Sequence, residues 1–364
     1  MRNDTHRGRA RTFEIGPGIL PPGPLNAITD VAEVRVGHVT RIEGDEIRTG
    51  ATTVLPHGGN LLQDRVPAGL AVANGHGKMM GATQITELGE IETPIVLTNT
   101  FAVPQAAEAI LDWTLDLPGN ETARSINPVI GETNDGLLNA IRARPLKAAD
   151  IRRSIDGAAD GSVEEGCVGA GTGTIAFGWK AGIGTSSRLL PTSLGRFTVG
   201  VLVQANFGGV LQITGVPIGV LLGRHYLARE LAQPEEAGSI MIVVATDAPL
   251  SDRNLMRLAR RTFAGMARTG ASMANGSGDY AIAFSTAKSV RRTRNRRTSL
   301  ADLQDLGNEC VSPLFQAVIE ATEEAIYNAL FVAESMTGYG GRIVEALPLD
   351  RVLPLLAGHS EGAR

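Results

Sequence analysis

GSIMIVVATDAPLS runs from Gly238 to Ser251, and its reading decides the fold class. Ser239–Ala245 is a continuous apolar run preceded by a glycine, which predicts a strand buried on both faces. A turn at Pro249 follows, then Ser251 as the N-cap of a helix. Leu255, Leu258, Ala259, Phe263 and Met266 recur at helical spacing to form its apolar face, and Gly270 stops it. Tyr280–Phe284 is the next strand. A long helix then opens with Ser312 as cap and Pro313 in the first helical position, turning Phe315, Ile319, Ile326 and Leu330 to the core.

The earlier part of the chain repeats the alternation. Val34–Val39, Ala51–Leu55 and Ile95–Leu97 read as strands. Gln105–Leu115 reads as a helix with Ala106, Ala109, Ile110 and Trp113 on one face. Shorter helical pieces are expected over Gly136–Arg142 and after Lys147. Val168–Val203 alternates β-like runs with glycine turns. Gly215–Leu231 is a mixed apolar segment, followed by a polar surface loop at Gln233–Ala237. Strands alternating with helices predict a layered α/β architecture, and the pattern alone does not separate two layers from four.

Composition narrows the function. Of 364 residues, 43 % are hydrophobic and 20 % charged, with a formal net charge of −4. That balance fits a globular protein and favours neither nucleic acid nor an anionic membrane as partner. Two cysteines, Cys167 and Cys310, cannot build a disulfide framework, so a reducing, cytoplasmic setting is expected. No run reaches the roughly 20 apolar residues of a membrane-spanning helix. Arg2, Arg7, Arg9 and Arg11 read as part of a flexible solvated arm over residues 1–24, ahead of a single catalytic domain at 25–364.

Several suggestive motifs carry no chemistry. VGAGTGT at Val168–Thr174 has G-x-G-x-G spacing and no phosphate-loop lysine, so it reads as tight turns and no cofactor is expected. His38, His57, His76 and His225 lack metal-ligand spacing, so no metal is expected either. The basic run Arg291–Arg297 has no interleaved aromatics and reads as a solvated loop.

Two serine segments remain. If the chain breaks between Gly238 and Ser239, Ser239 supplies a hydroxyl and an α-amine that titrates near about pH 7.7–8, a nucleophile and a base in one residue. In NGSGDY, Ser277 and Asp279 lie two apart, so an extended backbone projects both to one side as a relay. Each segment alone is also an ordinary turn or strand start.

Taken with PGPLNAITDVAEVRVGHVT at Pro22–Thr40, RTGATTVLP at Arg48–Pro56, GETNDGLLN at Gly131–Asn139, VGAGTGTIAFGWKAGIGTSSR at Val168–Arg188, VLVQANFG at Val201–Gly208 and ESMTGYGGRIVEALP at Glu334–Pro348, the chain resembles the L-aminopeptidase/D-esterase and β-aminopeptidase family. These are self-processing hydrolases of the N-terminal-nucleophile type. The resemblance implies an αββα sandwich related to the ornithine acetyltransferase fold. It implies autocleavage at Gly238–Ser239 into an α chain ending at 238 (residues 25–238 with the arm) and a β chain, 239–364. Ser239 matches the nucleophile, Ser277 and Asp279 its assistants, and Asn206 the oxyanion donor. Glu132 matches the carboxylate that takes the substrate's amine, with Asn134 in the same pocket. Small peptides, amino-acid amides or esters are the implied substrates, D- and β-residues included, and a tetramer of processed heterodimers the implied assembly. Ala140 stands where relatives often carry aspartate, and Asp279 where some carry glutamate. Two other readings stay open: an acyltransferase like ornithine acetyltransferase, whose nucleophile is threonine, and an uncleaved, non-enzymatic relative.

Overall fold

The computed structural model describes residues 7–227 and 238–362. The expected loop at Gln233–Ala237 lies outside them.

The apolar runs become two sheets. In the larger, Ile183–Leu189, Thr198–Asn206, Ser239–Thr246, Gly278–Ser285 and Asp64–Gly75 lie side by side in that order, with Arg292–Thr293 and Glu90–Ile91 pairing on Asp64–Gly75. The smaller has the order Arg35–Glu43, Ile47–Leu55, Ile95–Asn99, Val129–Thr133, Met79–Met80. Ser239–Thr246 is buried at every position, as an unbroken apolar run requires of a strand covered on both faces. It pairs in parallel with Gly278–Ser285, and the helix Asp252–Arg268 makes the crossover between them.

Three apolar clusters show how the layers stack. Val54, Leu97 and Val129 of the smaller sheet meet Leu202, Met241, Val243 and Ile282 of the larger. Ala106, Ile110, Ile151 and Ile155, from helices Val103–Leu115 and Ala148–Asp156, cover the outer face of the smaller sheet. Leu255, Leu258, Ala321 and Ala325, from Asp252–Arg268 and the helix Ser312–Phe331, cover the larger. The sequence left the number of layers open; the structure has helices, sheet, sheet, helices.

Close packing of the last layer depends on Gly184. A Cβ there would lie 1.9 Å from the Ala325 carbonyl oxygen and 2.7 Å from the Ala329 nitrogen, so the helix backbone sits directly on the strand. Gly184→Ala should therefore destabilise the fold by about 1–3 kcal/mol through overpacking, read as a lower denaturation midpoint. A midpoint equal to wild type would mean the helix is free to shift.

Four local expectations need correction. Gly136–Arg142 is a turn followed by a single 3-10 turn at Ile141–Ala143, because Asp135 and Asn139 are tied to the neighbouring strand. Val311, not Ser312, takes the N-cap position of the last long helix, and Phe315 and Ile319 are only half-buried. The basic run is not a solvated loop. Arg291 is 6 % exposed and pairs with Glu33 at 2.6 Å and Asp64 at 2.9 Å; residues 292–298 form a short strand and helical turn.

The arm is the largest correction. From residue 7 onward it is packed against the protein. Arg7 donates to the Leu347 carbonyl. Arg9 donates to the Leu25 and Thr185 carbonyls and pairs with Glu165 at 2.8 Å. Arg11 forks onto Glu324 at 2.8 and 2.9 Å. Glu324 and Glu320 also hold the fully buried Arg188, so this segment closes a buried charge network.

Candidate active site

Strand register builds the site. Ser239 is the first residue of its strand, opposite Asn206 on the antiparallel side and Gly278 on the parallel side. With strands about 4.8 Å apart, the three residues form a row at one end of the sheet. The Ser239 hydroxyl donates to the Gly238 carbonyl oxygen at 2.6 Å. The Gly278 N–H donates to that same carbonyl at 3.1 Å and lies 3.3 Å from Ser239 Oγ. In the unbroken chain, the Ser239 hydroxyl, the Gly238 carbonyl and the Gly278 N–H are thus in mutual contact. The Asn206 Oδ1 accepts from the Ile175 N–H at 3.0 Å. That bond fixes the amide, leaving Nδ2 with no partner among the described residues.

Ser277 and Asp279 lie on the adjoining strand end. The Ser277 hydroxyl donates to Asp279 Oδ1 at 2.6 Å, both side chains buried. Asp279 Oδ2 is buried with no partner among the described residues. Burial pushes this carboxyl above its usual range, and the Ser277 hydrogen bond opposes the shift. Sequence reasoning missed Asn74, whose Nδ2 donates to the carbonyls of Ala274 and Asn275 at 3.0 and 3.1 Å and to that of Ser277. It pins the turn that presents Ser277; an asparagine near a strand end gives no sequence signal of that.

Glu132 comes from the other sheet. Its neighbour Gly131 sits over Met241, with the position of a Cβ 2.6 Å from the sulfur. Its other neighbour, Thr133, accepts from Gln204 at 2.9 Å. Met241 and Gln204 are each two residues inside from Ser239 and Asn206, so Glu132 stands close to their strand ends. The phenol of Tyr280 is raised by burial and then by the nearby charges of Glu132 and Asp279. Glu132 already has a partner: its Oε1 accepts from the Lys78 amide at 3.0 Å and the Lys78 ammonium at 3.1 Å.

Asn134 is exposed and accepts only from the Gly136 N–H, at 2.9 Å. No contact brings it to the Ser239 group among the described residues. Asp135, which the sequence reading passed over, is buried. It accepts from Thr49 at 2.5 Å and Asn139 at 3.0 Å, and burial pushes its carboxyl up to about 6 against those bonds. It anchors the loop that follows Glu132. The glycine loop does what tight turns do: a Cβ on Gly173 would lie 2.3 Å from the Arg48 carbonyl oxygen.

Known proteins match this chain over nearly its whole length. A β-peptidyl aminopeptidase of Sphingosinicella xenopeptidilytica is 40 % identical over 354 residues, covering 92 % of this chain and 88 % of that protein. A Pyrococcus horikoshii structure matches with TM-score 0.88 and 41 % identity, over 97 % of this chain and 99 % of that one. The L-aminopeptidase D-Ala-esterase/amidase of Ochrobactrum anthropi, described as a prototype for the serine aminopeptidases and a variant of the Ntn hydrolase fold, matches with TM-score 0.87 and 37 % identity, over 97 % and 99 %. The profile of peptidase family S58 matches residues 26–344. The chain belongs to peptidase family S58.

Proposed function

We propose that this serine aminopeptidase makes its own active site by cutting itself between Gly238 and Ser239. It then removes N-terminal residues from small peptides, amino-acid amides or esters, D- and β-residues included. The contact of the Ser239 hydroxyl with the Gly238 carbonyl, under the Gly278 N–H, carries this reading. In the maturation step Ser239 Oγ bonds to the Gly238 carbonyl carbon and the Gly238–Ser239 C–N bond breaks. The hydroxyl proton passes to the departing nitrogen, and water hydrolyses the resulting ester. The freed α-amine titrates near about pH 7.7–8 and serves as the base when the same hydroxyl attacks substrate. Asn206 Nδ2 and the Gly278 N–H then face the oxyanion. Ser277 and Asp279 relay the proton, Glu132 receives the substrate's ammonium, and Asn134 borders that pocket. The matured protein is a cytoplasmic tetramer of processed heterodimers. The helix–sheet–sheet–helix order supports kinship with the ornithine acetyltransferase fold. Among the described residues no helix is long and apolar enough to cross a membrane.

An amine test addresses the pocket directly. Aminoacyl p-nitroanilides should be hydrolysed and their N-acetyl forms should not. Glu132→Gln should raise KM about 10- to 100-fold with a smaller change in kcat. Equal turnover of acetylated substrate would remove Glu132 from its role.

A pH profile addresses the relay. The working form of Asp279 is ionised, and its carboxyl is raised, so kcat/KM should fall on acidification at a pH above the usual aspartate range. Stability runs the opposite way: a raised carboxyl stabilises the fold in its protonated form, a contribution lost as pH rises through the folded pKa. Asp279→Asn should therefore slow catalysis by about 10²-fold, erase that acidic limb and raise the melting temperature at neutral pH. An unshifted limb in the variant would assign it to another group.

A further inference from the structure

The carboxylate proposed above to bind the substrate's amine shares its site with a cation. Met79 pairs with Gly131 and Met80 with Ile130, so the antiparallel register sets Lys78 beside Glu132. The Lys78 ammonium lies 3.1 Å from Glu132 Oε1 and donates to Thr100 Oγ1 at 2.6 Å. That leaves one ammonium N–H without a partner among the described residues, and Glu132 Oε2 accepts nothing among them. Lys78 is half-exposed while Glu132 is nearly buried. An exposed lysine contributes little to stability through such a pair, and it weakens the carboxylate's pull on a bare ammonium. The pair instead offers one acceptor oxygen and one charged donor side by side, which is complementary to a group carrying both charges.

We propose that Lys78 and Glu132 together select N-terminal residues bearing an ammonium and a carboxylate on the same carbon, with β-aspartyl residues as the substrate class. This rests on the reading of Ser239 and Glu132 given above. In a β-aspartyl peptide the scissile carbonyl is followed by a methylene and then by the carbon that holds both charged groups. A β-alanyl residue has the same spacing from carbonyl to amine but lacks the carboxylate. Ser239 Oγ forms an ester with the side-chain carbonyl of the aspartyl group. The C–N bond to the leaving amine breaks as the hydroxyl proton reaches that amine through the Ser239 α-amine. Water then cleaves the ester, releasing aspartate and regenerating the hydroxyl.

Three p-nitroanilides test the selection on the purified, matured protein: β-aspartyl, β-alanyl and γ-glutamyl, the last with the charged carbon one methylene further out. Wild-type kcat/KM should be about 10- to 100-fold higher for β-aspartyl than for β-alanyl, with γ-glutamyl slower than β-aspartyl. Lys78→Met should reverse that preference, lowering β-aspartyl kcat/KM about 10- to 100-fold and lowering KM for β-alanyl as Glu132 is released. Lys78→Arg should keep the wild-type order. An unchanged β-aspartyl to β-alanyl ratio in Lys78→Met, or faster γ-glutamyl turnover, would overturn the selection. Turnover of β-alanyl without discrimination rejects this proposal and leaves the aminopeptidase mechanism intact. Failure of every free-amine anilide rejects both.

Discussion

Replacing Ser239 with alanine should leave one uncut chain of 364 residues and lower kcat/KM by at least about 10⁴-fold. Both losses follow from one atom. The Ser239 hydroxyl is the group in contact with the Gly238 carbonyl, so without it nothing begins the acyl shift. The α-amine then stays locked in a peptide bond and cannot act as a base. The fold should survive, because strand pairing from Asn206 through Ser239 to Gly278 uses backbone groups. Circular dichroism matching wild type, with one band on a denaturing gel, would establish that activity was lost by chemistry. Normal processing in this variant would end the mechanism.

Asn206 carries the second largest effect. Its removal should lower kcat about 10²- to 10³-fold, or about 2.7–4 kcal/mol of transition-state stabilisation, with a much smaller change in KM. Asn206→Ala alone is ambiguous, because it also deprives the Ile175 N–H of its acceptor. Asn206→Asp keeps an oxygen for Ile175 and replaces the Nδ2 donor with a carboxylate oxygen, which cannot donate when ionised and repels the oxyanion. If donation to the oxyanion is what Asn206 does, both variants should be slow and the aspartate variant well folded. An aspartate variant as fast as wild type would leave Gly278 as the donor and give Asn206 a structural part alone.

What the sequence made legible was local. An unbroken apolar run at 239–245 has few structures open to it, and the two-residue spacing of Ser277 and Asp279 needs only an extended backbone. The helix at Asp252–Arg268 announced itself by apolar period and cap. What stayed hidden depends on partners far along the chain. Arg9 and Arg11 have the composition of a solvated arm until Glu165 and Glu324 take them up. Arg291 looked solvated for the same reason. A burial pattern shows where apolar residues go, but gives no address for a buried charge. Asp135, Asn74 and Lys78 act through pairings between segments that are distant in sequence, and no periodicity encodes them. Asn134, two residues from Glu132, has the Gly136 N–H as its side-chain partner among the described residues, so the spacing alone does not say what it does in the pocket.

Intact mass of purified wild-type protein, with N-terminal sequencing of the smaller species, bears most directly on the mechanism. Two chains of 238 and 126 residues, the shorter beginning Ser-Ile-Met-Ile-Val-Val, are the result expected of an active preparation. A fully active enzyme whose chain is still continuous through Gly238 and Ser239 would contradict it.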